Sequence, residues 1–124
     1  MNAAPDAIAT KGKVHSTAPI LASLDINESI AFYTGKLGFV LLVQMENYAI
    51  VGRDGCEIHF HACDNPLIAE NTACYVRTPS ADALYEEFRS RGATVKPPEL
   101  RVWGMKELYV LDPHGNLLKF GELA

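Results

Sequence analysis

The chain has 124 residues, 48% hydrophobic and 21% charged, with a formal charge of −4 at pH 7, the composition of a single ordinary globular domain. It has no run near the ~20 apolar residues that cross a bilayer, no basic-then-apolar leader and no basic cluster, which argues against membrane, secretion and nucleic acid and leaves the cytoplasm as the expected place. Cys56, Cys63 and Cys74 are an odd set without paired spacing, so neither a disulfide framework nor a thiolate metal site is indicated.

Residues 1–14 carry Pro, Ala and Gly without a period and read as a flexible arm, leaving 15–124 as one domain. A first strand is expected over about 16–23. Asp25 then caps a helix, with Glu28 three residues on and Ile26, Ile30, Tyr33 and Leu37 on one face; Gly35 or Gly38 ends it. Strands follow at about 38–44, 47–53 and 56–62, the last two joined by an Asp54-Gly55 turn. On the last of these Glu57, His59 and His61 share a face and Ile58 and Phe60 the other. The segment Ala62 to Asn71, with Asp64, Asn65 and Pro66, reads as a link.

The second half repeats this grammar. A strand is expected at about 73–78. Ser80 caps a helix with Leu84, Tyr85 and Phe88 on one face, and Gly92 stops it after Arg89 and Arg91. Glu86 and Glu87 read as solvated. Strands are expected at about 93–97, 103–111 and 116–121, the last pair joined by Asp112-Pro113-His114-Gly115, which places His114 at the surface. Met105, Glu107 and Tyr109 share one strand face, with Leu108 and Val110 packing beneath a helix. The expected fold is α+β: two tandem βαβββ modules, about 15–63 and 72–124, forming a curved mixed sheet with a concave groove.

That groove would gather His59 and His61 from one module and Trp103, Met105, Glu107, Tyr109 and Lys119 from the other, with contributions from Phe39 and Tyr48. An aromatic and polar cleft of this kind suits a flat heteroaromatic ligand. The same residues have plainer readings: Trp103 as part of a dimer core, Phe39 as core, and the histidines as an ordinary wet strand face. No serine has the glycine-flanked nucleophile setting, and no glycine run forms a phosphate cradle.

The stretch from Trp103-Gly104-Met105 through Asp112-Pro113-His114-Gly115-Asn116 to Glu122 resembles the C-terminal hairpin of the vicinal-oxygen-chelate proteins. This superfamily holds bleomycin-resistance proteins, glyoxalases and dioxygenases. Pro19 to Asp25, Ser29 to Tyr33 and Leu37-Gly38-Phe39 resemble its N-terminal motif, and the Trp-Gly-Met lead-in is most similar to the bleomycin-resistance branch, whose members bind a drug instead of transforming it. The resemblance implies a homodimer whose first strand is exchanged at the hinge residue Pro19, with drug grooves at the subunit interface.

Catalytic members of the superfamily place metal ligands at four strand positions, which here fall on Ala18, His59, Ala73 and Lys119. Only His59 is a competent donor, so neither metal nor other cofactor is expected. The implied function is non-catalytic sequestration of a bleomycin-like antibiotic, conferring resistance. The acidic balance tolerates a cationic ligand of that class. The alternatives are a metal-dependent glyoxalase-like lyase, dioxygenase or thiol transferase, and a binder of an unknown small metabolite.

Overall fold

The structure is a computed structural model that describes residues 11–124; the part of the expected arm before residue 11 lies outside the described residues. The first module runs β1 (Ile20–Ser23), α1 (Ile26–Gly35), β2 (Val40–Gln44), β3 (Tyr48–Arg53) and β4 (Cys56–Ala62). A short helix, α2 (Pro66–Glu70), lies in the link. The second module runs β5 (Ala73–Arg77), α3 (Ala81–Ser90), β6 (Glu99–Leu100), β7 (Met105–Leu111) and β8 (Leu117–Leu123).

The architecture is α+β, with the strands divided between the modules as two four-stranded mixed sheets ordered β1-β4-β3-β2 and β5-β8-β7-β6. The order is the same in both halves. In each module the first and last strands pair in parallel, while the remaining pairs are antiparallel. A parallel pair needs a crossover between its strands, and here the helix and two further strands supply it.

The helix starts follow the capping chemistry in the sequence. Asp25 accepts from Glu28 N–H at 3.2 Å and Ser80 from Ala83 N–H at 3.1 Å, bonds that typically stabilise by ~1 kcal/mol each. Asn65 accepts from Leu67 N–H at 3.0 Å ahead of α2. At Gly38 the backbone has φ +74°, and an added Cβ would meet the side chains of Glu87, Arg53 and Arg91. The turn out of α1 therefore depends on glycine.

Both modules feed one core. Ile58 and Phe60 of β4 and Leu108 and Val110 of β7 point inward beneath the helices, as the alternation predicts, and meet Tyr33, Leu37, Phe88 and Phe120. The Tyr33 and Phe60 rings meet edge-on at 4.7 Å between centroids, and Phe88 and Phe120 at 5.3 Å. Polar bonds stitch the modules at the core's rim. Asn116 Nδ2 donates to Ala22 O at 2.9 Å, and Arg53 donates to both Glu87 carboxylate oxygens at 2.9 and 2.7 Å and to Leu37 O at 2.6 Å.

Several expectations are corrected. β1 begins at Ile20, not near residue 16. The predicted strand at 93–97 does not form, because Pro97 and Pro98 lack ladder N–H groups; pairing starts only at Glu99. Trp103 sits in a turn closed by Gly104 N–H donating to Arg101 O at 3.0 Å, ahead of β7. Glu87 is drawn out of solvent by Arg53 and Arg91, whose bonds to it outweigh burial and hold its carboxyl below the usual range.

His114 is buried, only 7% exposed, despite its turn position. The start of α1 covers it. Leu24 N–H donates to its Nδ1 at 3.3 Å, which puts the neutral ring's proton on Nε2, facing Glu28 Oε1 at 2.9 Å. At the opposite edge all five residues of β2 are exposed, Val40 by 62% and Leu42 by 52%. A bulge between Leu41 and Val43 leaves Leu42 without a partner in the register.

Candidate functional site

The outer faces of the two sheets carry most of the predicted residues, as two separate walls. The wall on the second sheet is organised by Glu107. Its register partner on β8 is Gly121, which has no side chain, and Tyr75 from β5 crosses the space that a Cβ there would occupy. Three donors converge on the carboxylate: Tyr75 hydroxyl on Oε2 at 2.8 Å, Trp103 Nε1–H on Oε2 at 3.0 Å and Tyr109 hydroxyl on Oε1 at 2.8 Å.

This carboxylate is only 3% exposed. Burial raises its pKa, but the three hydrogen bonds and the nearby Lys119 charge outweigh that and hold it below the usual carboxylate range. The partners respond in the opposite sense. The bond to Glu107 pushes the Tyr109 phenol up, with burial adding; for Tyr75 burial leads and the bond to Glu107 adds.

Tyr109 also carries two cations close to its ring, Arg101 Cζ at 4.7 Å and Lys119 Nζ at 5.4 Å from the centroid. Trp103 commits its N–H to Glu107 yet leaves 62% of its surface exposed. The indole is thus held in place with surface available for stacking, which lowers the ordering cost of binding a planar ring.

The wall on the first sheet is smaller. Tyr48 hydroxyl and His59 Nδ1 lie 2.6 Å apart, and His59 Nε2 faces Glu57 Oε1 at 3.0 Å. His61 is the register partner of Tyr48 and is half-buried. Met105 opens β7 opposite Leu123, half-buried and adjacent to the Trp103-Gly104 turn.

Phe39 is largely a core residue, 7% exposed and packed edge-on against Tyr33 at 5.9 Å, and its remaining surface faces the cleft between the modules. The reversal at Gly38 turns it inward. Trp103, Glu107, Tyr109 and Lys119 are thus brought together on one sheet, and Tyr48, His59 and His61 on the other. No strand pairing joins the two sheets, and among the described residues no hydrogen bond joins the walls. Between the modules lies a cleft of about 460 Å³ with Glu57 on one side and Tyr75 on the other; of the predicted site residues only Phe39 lines it.

Tyr75 and Arg101 are absent from the predicted set. The one sequence signal for Tyr75 was Gly121, since a glycine inside a strand often marks a close approach by another group.

A divalent metal does not fit the donors present. Both ring nitrogens of His59 are engaged, and its β1 neighbour in the register is Ile20, two residues from Ala18. In the second module Lys119 stands beside Tyr75, whose hydroxyl is given to Glu107. Among the described residues no group of three His, Cys, Asp or Glu could hold a metal ion, and none of the helices is long and apolar enough to cross a membrane.

The sequence model of the Glyoxalase/Bleomycin resistance protein/Dioxygenase superfamily matches residues 13–120. The chain is 27% identical over 121 residues to a bleomycin resistance protein of Geobacillus stearothermophilus, covering 82% of this chain and 92% of the relative. It is 29% identical over 111 residues to one of Klebsiella pneumoniae, covering 82% and 86%. Among solved structures, the bleomycin-binding protein of Streptomyces verticillus, complexed with copper(II)-bleomycin, superposes with a TM-score of 0.82 at 25% identity, covering 89% of this chain and 97% of that one. A bleomycin resistance determinant encoded on the transposon Tn5 gives 0.79 at 27% identity, covering 88% and 98%.

Proposed function

We propose that this chain, which belongs to the Glyoxalase/Bleomycin resistance protein/Dioxygenase superfamily, binds and sequesters a bleomycin-like antibiotic without changing a bond in it, and so confers resistance. The observation that carries this reading is the exposed Trp103 indole pinned by a buried carboxylate. A stacking surface held by internal hydrogen bonds serves binding directly. Among the described residues no group of three His, Cys, Asp or Glu stands ready to hold a metal ion, which favours binding over metal-dependent lyase, dioxygenase or transferase chemistry. The likeness to bleomycin resistance proteins, and to one structure complexed with the copper drug, supports the choice of ligand. Sequestration is stoichiometric: each occupied groove removes one drug molecule from the free pool.

Each wall is half of a groove. In the proposed homodimer the Tyr48, His59 and His61 face of one protomer would oppose the Trp103, Met105, Glu107, Tyr109 and Lys119 face of its partner. Here β1 pairs with β4 of its own chain. The exposed residues 11–18 ahead of it are the segment available for exchange at Pro19.

Calorimetric titration of the purified protein with metal-free and copper(II)-bleomycin tests the reading. Saturable binding of one drug per protomer is expected. A protein that is folded and dimeric yet shows no heat or fluorescence change at high micromolar drug would overturn it.

A further inference from the structure

β1 and β5 are border strands, each paired on one side only. The cleft of about 460 Å³ between the modules is lined by three unbroken runs, 16–19 leading into β1, 55–58 at the start of β4 and 74–77 of β5, with Phe39 beside them. Successive residues of a strand point to opposite faces, so a cleft touched by four in a row lies against strand edges. Its walls are therefore main chain, and along the outer sides of β1 and β5 the N–H and C=O groups have no ladder partner.

Such walls suit an extended chain, which adds main-chain bonds along an edge, better than a compact ligand that reads a few side chains. The described chain starts in a way that bears on this. Lys11 and Gly12 form a turn, and Gly12 has φ +59°, the left-handed conformation that a reversing turn takes at its third position. A reversal there directs whatever precedes it back along 13–19. One side of that run is engaged by β4, where His59 N–H donates to Pro19 O at 3.0 Å. The cleft is on the other side.

We propose that the cleft is a strand-accepting slot filled by residues 4–7 of this same chain, running antiparallel to 16–19. A two-residue turn pairs Thr10 with Lys13 and, in step, Asp6 with Thr17 and Ala4 with Pro19. Ala4-Pro5-Asp6-Ala7 has short side chains for a narrow space, and Pro5 is tolerated where its missing N–H faces away from a ladder. Charge agrees. Asp6 is the one charged side chain in 1–10, and Glu57 and Arg77 are the charged residues of the cleft. Glu57 already faces His59 Nε2 at 3.0 Å, whereas among the described residues Arg77 has no carboxylate partner and has the Tyr75 ring 5.7 Å away. A segment held here joins the two modules by a shared strand, and exchange at Pro19 must first free it. The inference does not depend on the drug reading, and bleomycin binding enters none of the outcomes below.

Cys56 and Cys74 line the cleft and Cys63 does not, so thiol labelling reports its occupancy. Reaction of the full chain with a water-soluble maleimide, followed by mass spectrometry of each cysteine, gives the rates of Cys56 and Cys74 relative to Cys63. Gly12→Val disfavours the positive φ, and nothing lies within 4 Å of the added Cβ, so it opens the turn without touching the core. It is expected to raise both rates by about tenfold. Gly12→Asn tolerates that conformation and should stay near wild type. Arg77→Gln should raise the rates by a smaller factor. Melting curves establish that each variant is folded.

Equal labelling rates in wild type and folded Gly12→Val would overturn the proposal. So would protection that fades on dilution as a dimer dissociates, because the strand in the cleft would then come from a second copy. Protection that is independent of protein concentration and lost in Gly12→Val assigns the strand to its own chain.

Discussion

Tyr33 donates its phenolic proton to Asp112 Oδ2 at 2.9 Å, across 79 positions of sequence and between the two modules. The same carboxylate accepts from the backbone N–H groups of His114, Gly115 and Asn116 at 2.9, 3.0 and 3.0 Å and from Asn116 Nδ2 at 2.8 Å. Burial, then the Asp112 charge and hydrogen bond, lifts the Tyr33 phenol well above its ordinary value. One carboxylate therefore holds both the β7–β8 turn and the helix of the other module.

Removing that group should be far worse than removing its partner. Tyr33→Phe takes one donor from an otherwise satisfied acceptor and is expected to cost about 1–2 kcal/mol in urea unfolding. Asp112→Ala strands several buried donors and should cost about 3 kcal/mol or more. Equal effects would contradict the shared-anchor role.

Glu107 gives an acid signature with a definite sign. Its folded pKa is depressed, so the stability it contributes is fully present above the unfolded carboxylate value of about 4.3 and is lost as pH falls through the folded value. Glu107→Gln, which cannot titrate, should be less stable at pH 7 by about 1–3 kcal/mol and should show a shallower loss of stability on acidification. Melting curves from pH 7 to pH 3 compare the two slopes.

Trp103→Ala probes binding and the Glu107 anchor together. A stacked anchor should lose about 2 kcal/mol of drug affinity, roughly thirtyfold, while stability should fall by about 1–2 kcal/mol because the buried Glu107 carboxylate loses one of its three donors. A folded, dimeric variant with unchanged bleomycin affinity would remove Trp103 from the site.

Gly121→Ala should drive Tyr75 off Glu107, since the new Cβ would collide with the Tyr75 ring and hydroxyl. The expected cost is about 1–3 kcal/mol. Combined with Tyr75→Ala the two losses should fall well short of additive, because the second substitution removes the clash created by the first. Simple additivity in a double-mutant cycle would show that the two residues are independent.

Light scattering addresses the assembly. A two-chain species at micromolar concentration is expected if the walls of two protomers close the groove, and a monomer at all concentrations would leave each wall open to solvent.

Much of this arrangement was legible in short-range pattern. The alternation that sends Ile58 and Phe60 inward and Glu57, His59 and His61 outward is a property of any strand, and Asp25 and Ser80 announce their helices by local hydrogen bonds. What escaped depends on register between distant segments. Tyr75 enters the site only because β5 lies beside β8 at Gly121, and Arg101 only because the turn before β7 folds it over Tyr109. His114 reads as exposed from its Asp-Pro-His-Gly turn, yet the start of α1, some 86 positions earlier, closes over it. Phe39 serves both of its readings, packed into the core after the reversal at Gly38 and lining the cleft between the modules.

The irregularity at Leu42 bears on how this chain survives at high concentration. β2 is an unpaired border of its sheet with Val40, Leu41, Leu42 and Val43 all exposed, a combination that invites fibril-like stacking of one molecule on the next. The extra residue breaks the even spacing of free N–H and C=O groups that an incoming strand would need. Deleting Leu42 would restore a smooth template at that border and, in the same stroke, flip the side chains on one side of the deletion to the other face. The bulge thus interrupts the regular template that this exposed apolar border would otherwise offer.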